Sequence, residues 1–492
     1  MVNYYSQKAA IIARVILINC GFFVFCTFFE NQLFAKVEIS IHNDFSRKSR
    51  ILVAGLDENN FLIRRDAEFL RYKIFGLLNS TGLFELSLES EFNKALSLQS
   101  NRSEFSAAES ILSPNNSNYY QNSQITSSPY NLKRELAIGE VPNFEIYRKE
   151  QIDNLAIFAI SANSVGNIEV HLKLWDVNDR KEIANFSTIS TRLNVGEAAK
   201  DIANQIYVSL TGENKGHFKE QIAYVAETGS IRKRIKKLCL IEIDGSNRRC
   251  LTDGNEIVLT PTFSKSSNKI YFVRYFRGQP QIFVTEERYF RPKKIGGYRE
   301  TTMAPSPNPL NPNILLLSVI NEGDSDIHLL DLDNNFSKKI TNSPAIETTA
   351  SFSPDGKSII FTSDRKAGQQ IYRMNLDGSD IVKVSRGGGT YAKPQFSPDG
   401  RFIAFTKIFG DKFFIGTMKS DGSDEKLLVS DYVVEGGRWS NNGRYLIYSK
   451  KIAPFGKGSI PRLWIVDVVT GHEYQVPTPS NEGAVDPDWS WY

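Results

Sequence analysis

Apolar and polar positions follow two different patterns along this chain. In the C-terminal half, short alternating runs such as Ile359-Ile-Phe-Thr362 and Ile403-Ala-Phe-Thr406 stand behind one turn phrase, Ser353-Pro-Asp-Gly356 and Ser397-Pro-Asp-Gly400. Degenerate copies begin at Ser264, at Ser306 (Ser-Pro-Asn-Pro) and at Ser440, and successive serines are spaced 42 to 47 residues apart. Asp-Gly between alternating apolar residues predicts a hairpin, because Gly supplies the positive φ of a tight turn. A further strand such as Ile371-Tyr-Arg-Met374, then Asp377-Gly378-Ser379 and a fourth strand, complete each period. Four short antiparallel strands per period predict one blade of a β-propeller.

The phase of the repeat predicts how the ring closes. Ile222-Ala-Tyr-Val-Ala226 is a second strand with no turn phrase before it, and Val485–Ser490 is a first strand with nothing after it. The last strand is therefore expected to complete the first blade. Second strands beginning near Ile222, Ile270, Ile314, Ile359, Ile403 and Leu446 predict six blades over residues 214–492. Closure removes sheet edges that would otherwise pair with other chains.

Residues 36–213 mix helical and strand periods. Ile51–Ala54 reads as a buried strand and Asp66–Leu78 as an amphipathic helix. Leu155–Ile160 and Ile168–Trp175 read as a strand pair, and Gly196–Leu210 as a helix stopped by Gly212. The fold class expected is mainly β: a six-bladed propeller preceded by a small α/β domain. Residues 100–130, rich in Ser and Asn, have little periodicity and read as a long surface loop.

Lys8 and Arg14, the apolar run Val15–Phe29 and Leu33-Phe34-Ala35 form the pattern of a secretory signal peptide cut after Ala35. An uncleaved anchor would need roughly 20 apolar residues, and Glu30, Asn31 and Gln32 end the run first. The mature chain is expected to be exported and not to span a membrane. Cys239 and Cys250 remain after cleavage, on either side of Asp244-Gly245. An oxidising compartment permits a bond between them, whereas two buried thiols are the commoner outcome on such strands.

The net charge of +4 implies no nucleic-acid partner, and the basic cluster Arg232–Lys237 reads as a solvated blade loop. His42, His171, His217, His328 and His472 show no metal-ligand spacing. There is no Gly-x-Ser-x-Gly elbow for a hydrolase nucleophile. No catalytic residue, cofactor, metal or small-molecule substrate is expected. The other reading is an exported propeller that binds a carbohydrate or peptide in its central channel, or an enzyme acting there. It predicts charged and aromatic residues converging inside that channel.

The chain resembles the TolB family of the Tol–Pal envelope system. The resemblance rests on Lys36-Val-Glu-Ile-Ser-Ile41, Ser80-Thr-Gly-Leu-Phe84, Leu174-Trp-Asp-Val177, the junction Leu210-Thr-Gly-Glu-Asn-Lys-Gly-His-Phe218 and Ile222–Gly229. It implies a periplasmic, non-catalytic protein of a Gram-negative bacterium. Its propeller would bind the outer-membrane lipoprotein Pal and its mature N-terminus, Lys36, Val37, Glu38, Ile39, Ser40 and Ile41, would bind TolA. Roles in outer-membrane integrity and in constriction during cell division, and exploitation by colicins, come with it.

The phase of the strands gathers the Pro-Asp-Gly and Asp-Gly-Ser turns at one end of the ring. The longer connections, such as Arg274–Pro280, Asp364–Gln369 and Lys450–Arg462, are expected at the other end, as a rim. Glu300, Thr301 and Thr302 repeat as Glu347, Thr348 and Thr349, and Tyr391, Lys393 and Glu435 occupy comparable places in the next blades. These residues are expected either to line the mouth that receives Pal or to tie neighbouring blades together.

Overall fold

The computed structural model describes residues 48–55, 61–88, 138–162, 166–230, 233–296, 300–321, 323–366, 368–456 and 459–491. The segment expected to be a signal peptide ending at Ala35, Lys36–Ile41 and the 100–130 stretch lie outside the described residues. Those up to Glu213 form one compact unit, and those from Asn214 onward a second. Among them no helix is long and apolar enough to cross a membrane.

The first unit is a five-stranded mixed sheet. Strands β1 (Ser49–Gly55), β2 (Phe84–Leu88), β3 (Asn154–Ala162), β4 (Asn167–Asp176) and β5 (Lys181–Thr191) lie in the order β2-β1-β3-β4-β5. β1 runs parallel to β2 and β3, and the remaining pairs are antiparallel. Helices α1 (Phe61–Ser80) and α3 (Val195–Thr211) pack on each other, and α2 (Phe144–Lys149) places Phe144 and Tyr147 against Leu52, Leu155, Ile157 and Trp175. Both long helices stop on Thr-Gly. Thr81 Oγ1 donates to the Leu78 carbonyl before Gly82 (φ 65°), and Thr211 Oγ1 donates to the Tyr207 carbonyl before Gly212 (φ 71°). Gly takes the left-handed cap without the clash a Cβ would make, which accounts for the Ser-Thr-Gly and Leu-Thr-Gly motifs. β2, α2 and β5 have no counterpart in the sequence reading. β5 alternates half-buried and exposed positions with no fully buried one, and α2 is six residues long, too short for periodicity to register.

The second unit is six four-stranded blades, and the sixfold closure is as the repeat phase predicts. The inner strands are Gly483–Trp489, Val258–Phe263, Thr301–Pro307, Glu347–Phe352, Thr390–Phe396 and Val433–Trp439, here blades 1 to 6. Blade 1 takes its inner strand from the C-terminus, where Trp489 pairs with Ile222.

The turn phrase has a physical reason at its Ser, Asp and Gly positions. The Ser353 hydroxyl accepts from the Ser358 N–H at 2.9 Å and donates to Asp355 at 2.6 Å, and Asp355 accepts from the Lys357 N–H at 3.1 Å. These donors, the Ser353 hydroxyl first, hold the Asp355 carboxyl below the usual range. Gly356, at φ 70°, closes the turn. The same serine bond recurs from Phe402 N to Ser397, from Tyr445 N to Ser440 and, across the chain closure, from Gln221 N to Ser490.

In blade 3 the structure corrects the sequence alignment. Asn308, not Ser306, fills the serine position: its N–H donates to the Ile314 carbonyl, and its side chain accepts from the Leu310 and Asn311 N–H groups. The hairpin loop there is one residue longer, and the serine position lies two residues after Ser306.

Cys239 and Cys250 face each other directly across their hairpin and are joined by a disulfide.

His217, in the junction motif, lies fully buried between the rings of Phe218 and Tyr445, at 4.5 and 4.2 Å. Burial, with Arg444 nearby, pushes its pKa down to about 3. An unfolded histidine takes its proton near pH 6.5. Between those values the unfolded chain holds the extra proton, so stability falls as pH drops through the window. The cost is about 2 kcal/mol at pH 5. Urea melts at pH 7 and pH 5 should show that loss in the native protein and not in His217→Phe; an equal pH slope in both would remove His217 as its cause.

Candidate functional site: the loop rim and the axial channel

Every inner strand carries the same irregularity. The ladder slips between Met303 and Ser306, Thr348 and Ser351, Ala392 and Gln395, Glu435 and Arg438, Val485 and Asp488, and at the matching place in blade 2. The residue that starts each bulge has positive φ: Thr260 43°, Ala304 52°, Thr349 52°, Lys393 52°, Gly436 81° and Asp486 51°. Left-handed backbone costs a residue with a Cβ about 1–2 kcal/mol, so five of the six bulges are held against local preference by the surrounding ring. Pro follows in four of them, at 261, 305, 394 and 487, where its missing N–H costs no ladder bond.

The six bulges point at the axis and pinch the channel to a neck of about 50 Å³, lined by Thr260, Ala304, Thr349, Lys393, Gly436 and Asp486 with their neighbours. Lys393 stands between Glu435 and Asp486, 3.7 Å from each. Burial pushes the Glu435 carboxyl up, against the pull of Lys393. Charged groups do converge in the channel, as the carbohydrate or peptide reading requires. The neck, however, is far below the roughly 300–1,000 Å³ of ordinary ligand pockets.

Counting from the bulge realigns the nine residues singled out from sequence. Thr302, Glu347 and Tyr391 share one position, two before the bulge; Thr348 and Glu435 share the next; Thr349 and Lys393 are bulge residues. The two Glu-Thr-Thr triplets are thus two residues out of register, and their likeness is not a structural equivalence.

Thr301, Thr302, Glu347, Thr348 and Tyr391 are buried. The Glu347 carboxylate pairs with Arg365, and its N–H and C=O both meet the Ser325 hydroxyl of blade 3. Thr348 accepts from Ser318 of blade 3 at 3.2 Å, and Tyr391 donates to Glu425 at 2.6 Å within its own blade. Glu300 is exposed, and its carbonyl accepts from Gln281 at 3.0 Å.

One rim loop also differs from expectation. Arg274–Pro280 is a tight hairpin rather than a long loop, since pairing continues to Phe276 and Gln279 around Arg277-Gly278. Asp364–Gln369 and the segment between Lys451 and Arg462 do connect second and third strands at the rim. Asp486, Arg438, Asp488 and Lys265, which face the channel, were not read from sequence as channel residues. The available signal was Pro inside a strand, a marker of a bulge.

Comparison with known proteins agrees with this architecture. The family model of the TolB beta propeller domain matches residues 207–492. The Tol-Pal system protein TolB of Gluconobacter oxydans is 34% identical over 355 residues, 72% of this chain and 77% of that protein. Its counterpart from Rickettsia bellii is 34% identical over 374 residues, covering 74% and 83%. The crystal structure of TolB from Acinetobacter baumannii superposes with a TM-score of 0.72 at 21% identity, over 90% of this chain and 97% of that one, which speaks for the fold. The chain therefore belongs to the TolB family, as a non-catalytic propeller component of the Tol–Pal system.

Proposed function

We propose that the protein is exported to the periplasm, loses residues 1–35 and serves there as a protein-binding scaffold. In this reading the loop rim of the propeller takes the lipoprotein Pal, and Lys36–Ile41 takes TolA. The scaffold would thereby support outer-membrane integrity and constriction at division, and colicins would exploit the same surfaces.

The observation that carries the reading is the pinched channel in a chain of this family. A neck of about 50 Å³ leaves the exposed loops as the surface able to hold a partner. Glu300, exposed, is the direct-contact candidate, while Thr349, Lys393 and Glu435 are part-exposed at the neck behind it. The five buried residues hold the blades that present them.

Calorimetric titration against a soluble Pal domain is expected to give saturable one-to-one binding. Glu300→Arg should weaken it about tenfold, the effect of about 1.4 kcal/mol at a contact. Removal of Lys36–Ile41 should abolish binding to TolA. A folded protein that binds neither partner would overturn the proposal.

A further inference from the structure

Beyond the neck, toward the end of the ring that carries the tight turns, lies a second, smaller chamber of about 20 Å³ that shares Thr262, Ser306, Ser351 and Arg438 with it. Its charged lining comes from three blades: Lys265 after the inner strand of blade 2, Arg438 in blade 6 and Asp488 in the closing strand. Arg438 Nε stands 3.9 Å from Asp488 Oδ1. The other oxygen of Asp488 is committed to the backbone, accepting from the Phe263 N–H at 2.7 Å. Lys265 makes no hydrogen bond or ion pair with the described residues, and its Nζ lies 3.9 Å over the Trp491 ring. The Thr262 side chain is 7% exposed, and its hydroxyl is without a partner among the described residues.

Two cations therefore face one carboxylate that is already half used, with an idle hydroxyl beside them. A buried, unpartnered donor is costly, and within this chamber the two cations outnumber the one carboxylate, while the neck beside it, which Arg438 also lines, has Lys393 between two carboxylates. We propose that the chamber is a carboxylate-binding site. The incoming group takes Lys265 and the terminal guanidinium nitrogens of Arg438 as cationic donors and Thr262 Oγ1 as a neutral one, and it lies against the Trp491 ring.

Size and charge select the ligand class. About 20 Å³ is close to the 10–15 Å³ that holds one water, so a two-oxygen monoanion is favoured over a tetrahedral dianion. The carboxylate can belong to a small free acid or to an acidic side chain on a partner's loop. Burial, moderated by Asp488 and reinforced by Arg438, pushes Lys265 down to about 8. Binding should accordingly weaken as pH rises from 7 to 9 and the Lys265 ammonium is lost.

The indole N–H of Trp491, assigned by its loss in Trp491→Phe, reports occupancy in ¹⁵N spectra of the full protein. Sodium formate is exchanged for sodium chloride at constant ionic strength, and a capped Gly-Asp-Gly peptide is titrated in parallel. The shift is expected to saturate with formate, and Lys265→Gln should raise the half-saturation concentration at least tenfold. Thr262→Val, which preserves volume, should raise it several-fold, and Lys357→Gln, an exposed lysine on the same end of the ring, should leave it unchanged. Tighter saturation by the peptide would identify a partner's side chain as the source, and saturation by formate alone a free acid. A response that is linear, or that survives unchanged in folded Lys265→Gln and Thr262→Val, would overturn the site.

Discussion

A chain that ends at Gly483 is expected to lose the cooperative unfolding of its propeller altogether. The deleted residues include the inner strand of blade 1, whose Trp489 is fully buried and donates to the Arg438 carbonyl of blade 6 at 2.9 Å. They also include Asp488, which holds the Phe263 N–H of blade 2, and Ser490, which exchanges two bonds with Gln221. Loss of a buried Trp side chain alone costs about 3–5 kcal/mol, a large part of the 5–15 kcal/mol by which folded proteins are stable. The strand Gln221–Thr228, buried along most of its length, would become a free apolar edge open to other chains. Gel filtration and thermal melts of the truncated protein should show association and no sharp transition. Trp489→Ala in the full chain should leave a sharp transition, destabilised by about 3–5 kcal/mol. A truncated chain that melts like the native one would mean that the ring does not depend on its C-terminal strand.

Much of this architecture was legible because its determinants are local. Ser353, Asp355 and Gly356 satisfy one another within a single turn, so the phrase survives in sequence wherever the turn does, and its absence before Ile222 was enough to predict the closure. The bulges were not legible in the same way. Each one shifts the inner-strand register after the point where apolar alternation would be counted, so Glu300 was matched with Glu347 although Thr302 is its structural counterpart. Asn308 was missed for a related reason: an Asn side chain replaces the serine bond with its own pair of acceptor contacts, and identity at Ser306 drew the alignment two residues away. In the first unit, β5 and α2 carry too few fully buried residues for a hydrophobic period to mark them. The channel charges could not be read because Lys265, Arg438 and Asp488 come from three blades, and only the ring brings them together.

Glu347→Ala is the second substitution expected to have a large effect, and the effect is on stability. The carboxylate is fully buried, pairs with Arg365 and accepts from the Ser363 hydroxyl at 3.3 Å. Its other oxygen has no partner among the described residues, so its burial is only partly compensated. Removing it strands the Arg365 guanidinium, which lies 5.3 and 5.1 Å from the rings of Phe361 and Tyr372. Breaking a buried pair costs about 3–5 kcal/mol. Arg365 retains some exposure and can turn toward water, which puts the expected loss at about 2–4 kcal/mol. Glu347→Ala combined with Arg365→Met should be more stable than Glu347→Ala alone, because the orphaned charge leaves with its partner. Urea denaturation of the native protein, Glu347→Ala, Arg365→Met and the double variant gives the coupling directly. Weakened Pal binding by Glu347 variants would then follow from the fraction of protein that remains folded, and raising the protein's stability with an osmolyte should restore it. A Glu347→Ala protein of native stability that still failed to bind would instead make the carboxylate a contact, reached only after blade 4 opens at its rim.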